Sequence, residues 1–141
     1  MVALDTGRGR LDPFGLVVNG EAGKFVDALR MIVGSRWIRT FPARTDGEVL
    51  ELVRRGVPDA VVLDDEAVEA DTLKLLRTIR RVNQATLVVL LTGRTDRRWL
   101  EDALRLAAFS VVIKPLYLEE LLVQVYRMML RMNIVIRRER F

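Results

Sequence analysis

Pro58-Asp-Ala-Val-Val-Leu-Asp64 is a continuous apolar run, too short for a helix, that ends in carboxylates. It reads as a strand buried on both faces. Three other stretches share its form: Phe14-Gly-Leu-Val-Val-Asn19, stopped by Gly20; Thr86-Leu-Val-Val-Leu-Leu-Thr92; and Ser110-Val-Val-Ile-Lys114. Trp37 to Phe41 alternates large apolar residues with arginine or threonine before Pro42, the pattern of an edge strand. Helical spacing fills the intervals. Phe25, Leu29, Ile32 and Val33 precede Gly34-Ser35, and Asp46 opens a second helix carrying Val49, Leu50 and Val53 up to Gly56. Asp71 caps a third, with Leu73, Leu76 and Ile79. Arg97 to Ala107 is a fourth, with Leu100, Ala103, Leu104 and Ala107 inward, and Leu118 begins the last. Strands and helices alternate five times through short connections, which requires an α/β fold: a doubly wound, mostly parallel five-stranded sheet with helices on both faces.

Composition narrows the chemistry. The 141 residues are 50% hydrophobic and 30% charged, enough apolar material for one domain. Residues 1–12 read as a mobile lead-in, 13–132 as the domain, and 133–141 as a basic tail or helix extension. No apolar run reaches the length of a membrane span and the start lacks a secretory pattern, so a cytoplasmic protein without a membrane partner is expected. The absence of Cys and His removes thiolate catalysis, imidazole bases and the commonest transition-metal ligands. Carboxylate, hydroxyl and amine remain, a set suited to hard cations and phosphoryl groups. The net charge of +4 comes from scattered arginines, for there are only three lysines: Lys24, Lys74 and Lys114. Spread charge reads as solvated helix faces, which disfavours a nucleic-acid partner; Arg94, Arg97 and Arg98 would be the residues of such a binder.

Ligands of an open parallel sheet bind at the carboxyl ends of its strands. In chain order these ends carry Asn19-Gly20-Glu21, Asp64-Asp65-Glu66, Thr92-Gly93 and Lys114-Pro115. Each taken singly fits a loop carboxylate, a turn former or a solvated strand tip. Together they bring a carboxylate, a hydroxyl and an amine to one end of one sheet.

From Phe14 to Met132 the chain resembles the receiver domain of two-component response regulators. Val61-Val-Leu-Asp64 is similar to the phosphoacceptor strand, Leu90-Leu-Thr92-Gly93 to the strand of the switch hydroxyl, and Ile113-Lys114-Pro115 to the Lys-Pro pair, whose peptide bond is usually cis in that family. Asp71-Thr-Leu-Lys-Leu-Leu-Arg77 stands in place of the family's Asp-Gly-Leu helix start. The resemblance implies the flavodoxin-like strand order 2-1-3-4-5, with Asp64 as the phosphoacceptor-like residue and Thr92, Lys114 and Pro115 as the switch and pocket. That order makes the first and third strands neighbours, so that Asn19, Glu21 and Asp64 share one pocket and Asp64 lies within ion-pair reach of Lys114.

The departures from the family carry as much weight. Its two adjacent metal-binding acids are here Asn19 and Gly20, and only the third acid survives, as Glu21. Magnesium requires near-octahedral hard oxygens, so the pocket is expected to bind it weakly through Glu21, Asp64 and Glu66, with Asp65 a further substitute. An acid restored at Gly20 is expected to recover part of the reaction. The family's proline after the acceptor is Val68, and its aromatic switch is Val111. The expected function is therefore an atypical receiver, a non-enzymatic interaction module in two-component signalling with phosphorylation at Asp64 impaired or lost. Its partner is a histidine kinase or an output protein. The alternative is a working phosphoacceptor using Glu21 and Glu66 as replacement ligands. A haloacid-dehalogenase-type phosphohydrolase needs Asp-x-Asp followed by a hydroxyl residue, which Asp64-Asp65-Glu66-Ala67 lacks.

The last helix carries one apolar stripe for the sheet (Leu118, Leu121, Leu122, Val125, Met129, Met132) and a second at Val123, Tyr126 and Leu130. Glu120, Gln124, Arg127 and Arg131 are left as its polar face. The second stripe predicts a homodimer through this helix.

Overall fold

A computed structural model describes residues 2–6, 13–132 and 134–138. The core strands are β2 (Phe14–Val18), β3 (Ile38–Pro42), β4 (Ala60–Asp64), β5 (Leu87–Thr92) and β6 (Ser110–Ile113). They form a five-stranded parallel sheet in the order β3-β2-β4-β5-β6, which is 2-1-3-4-5 counted from Phe14. The helices are α1 (Val26–Val33), α2 (Asp46–Arg54), α3 (Thr72–Val82), α4 (Arg97–Arg105) and α5 (Leu118–Arg131). A 3₁₀ turn, Gly20–Phe25, links β2 to α1.

The period of two along each strand divides the core into two layers. Phe14, Leu16, Val18, Val62 and Leu91 face Leu29 of α1 and Leu121, Val125 and Met128 of α5. Val17, Val61, Leu63, Val88 and Leu90 face Val49 and Val53 of α2, Leu76 and Ile79 of α3, and Trp99 of α4. Each fully buried Leu or Val contributes about 1.5–3 kcal/mol relative to exposure, so the sheet is held from both sides. The continuous apolar strands are a consequence of that double burial.

Several local expectations are corrected. Thr45, not Asp46, caps α2, its hydroxyl accepting from Glu48 N at 3.1 Å. Asp46 instead accepts from the Glu69 and Ala70 amides, tying the start of α2 to the loop before α3. Leu104 is exposed, and Ala107 lies beyond α4 with φ at 63°. On α5, Gln124 is buried rather than part of the polar face, because its Oε1 accepts from Ser110 Oγ while its Nε2 donates to Glu120 Oε1. Met128, outside both expected stripes, is fully buried.

The termini differ as well. Val2–Thr6 form β1, antiparallel to β7 (Ile134–Arg138), with Val2 opposite Arg138 and Thr6 opposite Ile134. This ribbon takes the place of the nonperiodic lead-in and of the helix extension. The β-branched run Ile134-Val-Ile136 favours extended backbone, and α5 stops at Arg131. Met1, residues 7–12, Asn133 and residues 139–141, which belong to the expected lead-in and tail, lie outside the described residues.

Candidate functional site

Asp64 ends β4 at the centre of the sheet and is 2% exposed. A buried carboxylate needs donors, and three reach it. Lys114 Nζ lies 2.9 Å from Oδ1, Glu66 N donates to the same oxygen at 3.0 Å, and Glu21 N donates to Oδ2 at 2.7 Å. The Asn19 side chain accepts from Asp64 N at 2.6 Å, joining the ends of β2 and β4. The expected meeting of Asn19, Glu21, Asp64 and Lys114 is therefore present, but its geometry encloses the carboxylate.

Gly20 permits that enclosure. Its φ is 58°, a region glycine enters at little cost. A Cβ built there would stand 2.7 Å from Asp64 Cβ and Cγ, and nearer still to Oδ2. Residue 20 thus lies directly against the acceptor-like carboxylate. A side chain at residue 20 would require Asp64 or the Gly20 backbone to shift.

Glu21 and Glu66, expected as replacement metal ligands, have other partners. Glu21 Oε2 accepts from Leu116 N at 3.0 Å, across 95 residues, and holds the turn after the cis Lys114-Pro115 bond. Glu66 Oε1 accepts from Lys114 Nζ at 2.8 Å. Among the described residues no three acidic side chains are grouped so as to hold a metal ion. As placed, the residues do not fit the octahedral magnesium site of the receiver resemblance. Burial alone would lower the Lys114 pKa, but hydrogen bonds to Glu66 and Asp64, with their negative charges, raise it above the ordinary lysine value.

A second cluster adjoins the first. Asp65 accepts from Thr72 Oγ1, from Thr92 Oγ1 at 2.9 Å and from Arg94 Nε at 3.1 Å. Thr92 Oγ1 in turn accepts from Arg94 N at 3.0 Å, and the Arg94 guanidinium covers the Trp99 ring at 4.9 Å. Burial would raise the Asp65 carboxyl, yet the hydrogen bonds from Thr72, Thr92 and Arg94, and the Arg94 charge, bring it below the ordinary carboxylate range. Thr92 is therefore bonded to Asp65 rather than to Asp64. Sequence reasoning considered Asp65 only as a spare ligand; the available signal was the Asp64-Asp65 doublet facing a Thr-x-Arg at the next strand end.

The proposed contact residues Val123, Tyr126 and Leu130 all stand exposed on α5, Leu130 at 65%. Ile113, at the end of β6, is exposed as well. Among the described residues no helix is long and apolar enough to cross a membrane.

Residues 18–126 match the family profile described as the response regulator receiver domain. A stretch of 64 residues is 39% identical to regulatory protein AtoC of Escherichia coli (strain K12); it covers 45% of this chain but only 14% of that protein. Among solved structures, a two-component response regulator from Clostridium difficile superposes with a TM-score of 0.71 at 22% identity, covering 85% of this chain and 98% of the other. A CheY-like receiver domain protein from Methanospirillum hungatei JF-1 gives 0.72 at 15% identity, covering 85% and 96%. The non-phosphorylated HemR receiver domain from Leptospira biflexa gives 0.69 at 22%, covering 92% and 99%. At these identities the structural likeness speaks for the fold.

Proposed function

The chain belongs to the response regulator receiver domain family, and from that premise we propose that it is an atypical receiver: a non-enzymatic interaction module of two-component signalling in which phosphorylation at Asp64 is impaired or lost. The observation that carries this reading is the enclosure of Asp64. Phosphoryl transfer needs an open, in-line approach to a carboxylate oxygen and a cation to neutralise the incoming charge. Here Oδ1 is held by Lys114 and the Glu66 amide, while Oδ2 is held by the Glu21 amide beneath Gly20. The oxygens that would bind magnesium are engaged with an ammonium or with main-chain amides. Signalling by such a domain rests on protein contacts, with a histidine kinase or an output protein as partner and the cytoplasm as its place.

The exposed stripe Val123, Tyr126 and Leu130 supports a homodimer through α5, since closed two-fold pairing of an apolar face is the commonest form of association. A Mg²⁺ titration followed by amide NMR tests the metal part of the proposal. The Glu21 and Glu66 amide signals are expected to stay unshifted up to millimolar Mg²⁺. Saturable shifts of both would support the working phosphoacceptor instead.

A further inference from the structure

At the other end of the sheet, where α3 and α4 finish before β5 and β6 begin, an open groove of about 470 Å³ is lined by Arg77, Arg80, Arg81, Arg105, Leu106 and Ala107, with Gln84 at its edge. Four arginines thus line one concavity. Arg80 is held in place, its guanidinium donating to the main-chain oxygens of Gln84, at 2.9 Å, and Thr86. Its Nε is buried without a partner among the described residues. Arg105 leans on Asp102 at 3.3 Å, but among the described residues no carboxylate pairs with Arg77, Arg80 or Arg81.

The negative ends of the helices explain part of this arrangement, because Arg80, Arg81 and Arg105 lie in last turns. Arg77 lies outside the last turn and forms a like-charge i,i+4 pair with Arg81, which opposes helix stability. Thr72–Val82 contains no acid to offset that repulsion. Arg77 and Arg81, which line a concave surface and pair with no carboxylate among the described residues, are placed to meet an anion supplied from outside.

We propose that this groove binds a phosphate-bearing ligand of nucleotide size. Guanidinium forks match phosphate oxygens in paired hydrogen bonds and stack on planar rings. The volume falls within the range of small-ligand sites, and Leu106 and Ala107 supply an apolar ledge beside the charges on which a base can lie. The groove is local, bounded by two helix ends, whereas a nucleic-acid strand would follow an extended basic track.

Isothermal titration of the full chain with ADP and with pyrophosphate tests the proposal. ADP is expected to bind one to one with a submillimolar Kd and more tightly than pyrophosphate, and Arg81→Glu is expected to weaken it at least tenfold. Arg98→Glu, on α4 away from the groove, is expected to leave binding unchanged. Should Arg81→Glu fail to fold, ADP-induced shifts of the Gln84 and Ala107 amides in the wild type carry the test. Absence of saturable binding, or binding indifferent to Arg81→Glu with those amides unmoved, overturns the site. Equal affinity for pyrophosphate and ADP overturns the nucleotide assignment. Affinity for single-stranded oligonucleotides that grows with length, without ADP saturation, overturns it in favour of a nucleic-acid strand.

Discussion

Asp64→Asn preserves the shape of the enclosed side chain and removes its charge. In a pocket crowded with acids that change would relieve repulsion. Here it is expected to destabilise the fold, because Asp64 is surrounded by donors: Lys114 Nζ and Glu66 N on one oxygen, Glu21 N on the other. The amide has a single acceptor oxygen. Turned toward Lys114 and Glu66, it leaves its NH₂ facing Glu21 N, and a buried donor without an acceptor costs about 1–3 kcal/mol. The weakened Lys114 pair adds roughly 1 kcal/mol at most, since Glu66 still holds the ammonium. A loss of about 1–4 kcal/mol corresponds, for a domain of this size, to a Tm lower by roughly 3–20 °C. Urea denaturation and calorimetry of wild type and Asp64→Asn measure it. A variant as stable as the wild type, or more stable, would refute the claim that Asp64 serves as an anchored structural carboxylate.

Further outcomes follow from the same geometry. Gly20→Ala is expected to lower stability by at least 2 kcal/mol, since a left-handed φ costs about 1–2 kcal/mol and the added Cβ meets Asp64; denaturant midpoints check this. Asp65, with its pKa held below the ordinary carboxylate value, contributes stability that is present above that value and lost as pH falls through the lowered one. Asp65→Asn should therefore flatten the stability profile below about pH 4, as followed by urea unfolding in acid. Lys114, with its pKa raised, contributes stability that is complete below 10.5 and lost as pH climbs above it; alkaline unfolding of Lys114→Met should lack that loss. Sedimentation of wild type at tens of micromolar should give a dimer and Leu130→Glu a monomer, and a monomeric wild type would end the pairing proposal.

The fold was legible because the strands are short apolar runs of β-branched residues and leucine, closed by Asn19-Gly20, Pro42, Asp64, Thr92-Gly93 and Lys114-Pro115, with helical spacing between them. Asp71 announced its cap for the same local reason, accepting from Lys74 N at 3.1 Å. The convergence of Asp64 and Lys114 followed from the strand order that the receiver resemblance implies. What stayed hidden depends on geometry finer than order. Which of Asp64, Asp65 and Glu66 meets which cation is decided by the turn after β4, so the bond between Asp65 and Thr92 had no periodic signature. Gly20 stands where the family has an acid, and its positive φ and close approach to Asp64 have no signature in the sequence. The burial of Gln124 depends on Ser110, fourteen residues away on β6. The pairing of β1 with β7 joins the two ends of the described chain, a separation no local pattern reports.

Intact-mass spectrometry after incubation with a small phosphodonor and Mg²⁺ tests the central claim most directly. The enclosed Asp64 is expected to leave the unmutated chain at its original mass, with or without the cation. A stoichiometric gain of one phosphoryl group that requires Mg²⁺ and disappears in Asp64→Asn would contradict the account.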